Sequence, residues 1–129
     1  MYYWFDGYEI KFPKEDRYME QFIAFLDNRI AEGKREIEAL AAAERRDDAN
    51  FAKVKTNIYE VCRTVTGALG NRPGAGVKAV GAQLEKFRSI WGGALEKAKQ
   101  HDDVHGVAVE EIKLKALEDV IAHFQEVKA

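Results

Sequence analysis

Between residues 13 and 46 the apolar and small positions keep one rhythm. Met19, Ile23, Leu26, Ile30, Gly33, Ile37 and Leu40 follow one another at spacings of 4, 3, 4, 3, 4 and 3. That period places them on a single stripe of an α-helix, and it predicts a helix over 13–46 that is buried along nearly its whole length. Tyr18, Phe22 and Phe25 form a second stripe beside it. Phe51, Val54, Ile58, Val61, Val65 and Ala68 repeat the rhythm and predict a second helix over 49–69, capped by Asp47 or Asp48. Val77, Val80, Leu84, Phe87, Trp91, Ala94 and Ala98 predict a third over 77–98. Val109, Ile112, Ala116, Leu117, Val120, Ile121, Phe124 and Val127 make a broader stripe over 107–128.

The breaks between these seams carry turn chemistry. Residues 67–76 read GALGNRPGAG and residues 101–106 read HDDVHG. Gly92-Gly93 interrupts the third seam, and a glycine inside a helix costs about 1 kcal/mol relative to alanine, so a kink or break is expected after Trp91. The first helix is expected to outrun its followers by about ten residues.

Ahead of the helices, residues 1–12 read MYYWFDGYEIKF. Asp-Gly between aromatic-rich runs is a strong two-residue hairpin signal. A turn at Asp6-Gly7 puts Met1, Tyr3, Phe5, Tyr8, Ile10 and Phe12 on one face and Tyr2, Trp4, Glu9 and Lys11 on the other. The fold expected from the pattern is therefore all-α: a single domain over 1–129, a four-helix up-and-down bundle preceded by a two-stranded β-hairpin.

Composition agrees with an ordinary globular chain and adds one detail. Of the 129 residues 47% are hydrophobic and 33% charged, with a formal net charge of −2. The charge is unevenly spread: −4 over residues 1–50, +6 over 51–99 and −4 over 100–129. No run of about 18 apolar residues occurs, and no basic segment precedes an apolar stretch at the N-terminus, so a cytoplasmic protein without a membrane span is expected. Cys62 stands alone, on the flank of an apolar stripe, which suits a buried and inert thiol.

Candidate chemistry is sparse. His101 and His105 would share a face for a metal ion if 101–105 were helical, although the segment sits at an expected break. The His101-Asp102 pair would suit a metal-dependent phosphohydrolase only with further histidines upstream, and none precedes residue 101. A di-iron bundle needs inward glutamates and two Glu-x-x-His motifs, which this chain lacks. The glycine-rich turn at 70–76, with Arg72 and Lys78 and with Lys86 and Arg88 further along, offers an anion-binding alternative, though it matches no Walker A or Rossmann fingerprint.

With no nucleophile–base set and no cofactor implied, the expectation is a non-enzymatic interaction or structural protein. It would self-associate as a homodimer, or bind another protein, through Tyr2 and Trp4 on the outer face of the hairpin. The alternative is a binder of an anionic ligand or nucleic acid through the basic second and third helices.

Overall fold

The computed structural model describes residues 17–72 and 74–128 in full, and among them all regular structure is helical. Four helices follow in order: α1 (Lys14–Ala42), α2 (Arg46–Leu69), α3 (Gly76–Gln100) and α4 (Val104–Lys128). The hairpin expected over residues 1–12, with Tyr2 and Trp4, lies outside the described residues. None of the four helices is long and apolar enough to cross a membrane.

Local chemistry fixes the ends. The main chain reverses after α1 through Glu44, at φ 59°, with the Arg45 amide donating to the Leu40 carbonyl at 2.9 Å and the Glu44 amide to Ala41 at 3.1 Å. α3 stops in the same way at Asp102, φ 51°, with Asp103 donating to Ala98 and Asp102 to Lys99. Both are Schellman turns built on a non-glycine residue in the left-handed region. α1 therefore ends at residue 42, short of the expected 46, and exceeds α2, with 24 residues, by only five. Asp47 and Asp48 sit inside the first turn of α2, where their charge suits the helix dipole. At the start of α4, Asp103 Oδ1 accepts the Gly106 amide at 2.9 Å, a side-chain cap that begins the helix three residues earlier than its apolar stripe suggests.

α3 runs unbroken through Gly92-Gly93, contrary to the kink expected there. The two glycines cost about 2 kcal/mol together, less than a 25-residue helix gains from packing its seam.

Cross-chain contacts give the helix directions. Asp27 meets Arg63 and Glu36 meets Lys55, so α1 and α2 run antiparallel. Arg88 meets Glu118 and Gly81 lies against Phe124, so α3 and α4 do the same. These two helical pairs join chiefly through α2 and α4.

The core is concentrated at one end. Phe22, Leu26, Val80, Leu84, Leu117, Val120 and Phe124 are all sealed from solvent, with the Phe22 and Phe124 rings edge to face at 5.3 Å. On the far side of Arg29, Ile58, Arg88 and Ala116 the buried residues are only Gly33, Ala49, Ala52 and Thr56. Ile37, Leu40, Phe51, Val54, Trp91, Ala98, Val109 and Ile112 continue the seams but remain half-buried. The first seam is therefore not buried along nearly its whole length: Ile23 and Ile30 are half-buried, and after Gly33 so are Ile37 and Leu40.

α2 is also turned relative to expectation. Its buried residues are Ala49, Ala52, Thr56, Ile58, Tyr59, Cys62 and Thr66, so of the expected seam Ile58 is buried, whereas Phe51, Val54, Val61 and Val65 are half-buried and Ala68 is exposed. The reason is close approach to α1: a Cβ on Gly33 would fall on Thr56 Oγ1, so small residues must face each other here. The buried hydroxyls of Thr56 and Thr66 are satisfied by donating to the carbonyls of Ala52 and Cys62 at 2.8 and 2.7 Å.

Candidate functional site

Where the core stops, α1, α2 and α4 enclose an open cleft of about 810 Å³. Its walls combine the apolar Leu40, Phe51, Ala52 and Ile112 with a rim of paired charges. Lys55 reaches Glu36 at 2.8 Å across α1 and α2, and Arg45 reaches Asp48 at 2.6 Å. Lys115 also lines the cleft, and no carboxylate among the described residues lies within ion-pair distance of it.

At the inner end of the cleft three helices meet on one carboxylate. The Asp119 Oδ2 of α4 accepts hydrogen bonds from Tyr59 Oη of α2 at 2.7 Å and from Arg29 Nε of α1 at 2.9 Å. His123 Nδ1 lies 3.4 Å from Asp119 Oδ1 and 3.1 Å from the main-chain carbonyl of Asp119. Phe25 supports the group from below: its ring stacks on His123 at 3.8 Å and carries the Arg29 guanidinium 5.0 Å from its centroid.

Burial and hydrogen bonding hold Tyr59 and Asp119 each in one state. Burial raises the Tyr59 phenol well above its ordinary range, and its bond to Asp119 raises it further. Burial alone would raise the Asp119 carboxyl, but the hydrogen bonds from Arg29 and Tyr59 outweigh it and hold the carboxyl below its ordinary value. The phenol stays protonated and the carboxylate stays charged across the neutral range, so neither is set to exchange a proton near pH 7. The arrangement is a clamp between helices.

The residues singled out in the sequence are dispersed. His101 closes α3, with Nδ1 2.8 Å from the Lys97 carbonyl, while His105 sits in the first turn of α4 with its ring 6.1 Å from that of Phe51. The Schellman turn separates them, so the shared helical face that metal binding requires does not form. Among the described residues no three histidine, cysteine, aspartate or glutamate side chains converge on a metal position.

The anion candidates fare unevenly. Arg88 is held in a fork by Glu118, at 2.8 and 2.9 Å, and also meets Glu85. Arg72, Lys78 and Lys86 are exposed. In the turn before α3 the amides of Ala75 and Gly76 already donate to the Arg72 carbonyl, and Gly76 has no room for a Cβ because the Gly70 main chain lies against it. Cys62 is fully buried and its thiol is pushed up to about 12 by that burial.

Arg29, Tyr59, Asp119 and His123 form the polar centre that sequence reasoning missed. One local signal was present: Asp119 and His123 stand four apart on α4, beside its apolar stripe. Comparison of the chain with protein-family models, curated proteins and solved structures gives no match.

Proposed function

We propose that this chain is a non-enzymatic helical interaction module. It associates, with a second copy or with another protein, through the half-covered apolar end of an up-and-down bundle and through the aromatic face of an N-terminal hairpin. One observation carries the reading. The four apolar seams continue past the cleft, yet beyond it no side chain larger than threonine is buried. These half-covered positions, with Ile90 and Val104 exposed at 54% and 83%, form an apolar end that suits a surface completed by a partner. The commitment of Tyr59 and Asp119 to each other supports a binding role over a catalytic one.

Tyr2 and Trp4 have the large amphipathic side chains enriched at interface centres. A hairpin over 1–12 would place them at the end of α1 away from the cleft, giving the module two contact surfaces.

Sedimentation velocity tests the reading. Leu40→Ser with Phe51→Ser should shift an associated wild type to monomer while circular dichroism keeps its helical signal. Tyr2→Ala with Trp4→Ala should weaken association through the second surface. A wild type that is monomeric at high concentration and captures no protein would contradict the proposal.

A second reading has one observation in its favour. Lys78 and Lys86 are exposed on α3, and among the described residues no carboxylate lies within ion-pair distance of either. Together with Arg72 they would attract an anionic ligand, although Arg88 is already neutralised. Binding of a polyanion that falls steeply with salt, and is lost on reversing Lys78 and Lys86, would favour it.

A further inference from the structure

The ion pairs between helices divide by position. Lys55–Glu36 and Arg63–Asp27 tie α1 to α2, and Arg88–Glu118 ties α3 to α4. Among the described residues, the one charged group that ties the first pair to the second is Asp119, through Arg29 and Tyr59. It stands at the level where the sealed core ends and the half-buried seams begin.

We propose that Asp119 is a latch between the two helical pairs, which sets how far they part at the apolar end and so regulates access to the cleft. Toward Phe22 and Phe124 the pairs are welded by close apolar packing. Toward Leu40 and Ile112 the side chains between them are only half-buried. Between these regimes, parting the pairs means breaking two short hydrogen bonds to one oxygen. Both bonds are short and go to an ionised acceptor, so each resists exchange for water more than a neutral bond would.

The groups that face the carboxylate are Arg29 from α1, Tyr59 from α2 and His123 from its own helix, with Glu32 3.5 Å from the Arg29 guanidinium. The carboxyl is held in its charged form, so the latch stays closed across the neutral range.

The inference rests on the proposed function only in what the opening serves; the latch itself needs no partner. Its test is a pair of electron–electron distance measurements on the whole chain. Spin labels at Asn50 and Gln100, both exposed near the open end, report the separation of the pairs. Labels at Glu38 and Asn50 report the spacing within the first pair.

Asp119→Asn should broaden the Asn50–Gln100 distribution toward longer distances and leave the Glu38–Asn50 distribution superimposable on wild type. Tyr59→Phe, which removes one hydroxyl and keeps the ring, should move it the same way by less, and carries the test if Asp119→Asn does not fold. No change between pairs, or equal broadening within a pair, would overturn the latch. Either result leaves the sedimentation test of association standing on its own.

Discussion

Leu84 and Leu40 are both seam leucines in the sequence pattern, but the structure places them on opposite sides of the point where the core ends. Leu84 is 1% exposed among the large buried side chains of α3 and α4. Truncating it to alanine removes the full transfer free energy and leaves an enclosed cavity, for about 2–5 kcal/mol. Leu40 is half-buried and lines the open cleft. Leu40→Ala loses part of the transfer free energy and creates no closed cavity, so about 1 kcal/mol is expected. With a urea m-value of about 2 kcal/mol per molar, the midpoint should fall by about 1–2.5 M for Leu84→Ala and about 0.5 M for Leu40→Ala. Ile30, half-buried but packed on the core, should fall between them. Equal shifts for Leu84 and Leu40 would refute the uneven core, since a uniformly packed bundle penalises both alike.

Gly33→Ala should destabilise by about 1–3 kcal/mol, because its Cβ meets Thr56, whereas Gly93→Ala, with open space at that position, should stabilise by about 0.5–1 kcal/mol; thermal melts give both signs. Glu44→Gly should raise the melting temperature by relieving a left-handed residue at the end of α1. Asp119, with its folded pKa below the ordinary carboxylate value, contributes stability that is fully present above about pH 4 and is lost as pH falls through the lowered value. Asp119→Asn should therefore flatten the acid limb of a stability–pH curve. Tyr59, raised, contributes stability that is fully present below its ordinary value of 10.0 and is lost as pH rises from there toward the folded value, so Tyr59→Phe should flatten the alkaline limb. Cys62 should resist thiol reagents in the native chain and react fully once urea unfolds it.

How far the fold was legible depended on whether one helix or several decided the outcome. Each seam named its helix, because a 3–4 spacing over six or more positions is decided within one element. The helix ends were less legible. Glu44 and Asp102 are not the glycines that mark a left-handed turn, and the reversal at each appears only in the backbone. The face of α2 was misread for a reason of packing. Val54, Val61 and Val65 are the more hydrophobic choice, but Gly33 of α1 draws the small side of α2 inward, and apolar character alone cannot register that. Gly92-Gly93 looked like a break because local propensity was weighed without the seam that carries α3 through it. Of the polar centre only the Asp119–His123 spacing is local; the bonds of Arg29 and Tyr59 to Asp119 join residues 90 and 60 positions apart on three helices and leave no pattern in the sequence. Tyr2 and Trp4 lie outside the described residues, so the hairpin surface stands as a proposal from the sequence.

One bundle carries a sealed end and an unfinished end within the same helices, and residue-resolved amide hydrogen exchange on the wild-type chain distinguishes the two. Within α2, amides over 58–66 should exchange only with global unfolding, while those over 49–56 should exchange through openings of lower free energy; within α4, residues 116–124 should be protected in the same way relative to 107–114. Uniform protection along both helices, at the global unfolding free energy throughout, would contradict the account.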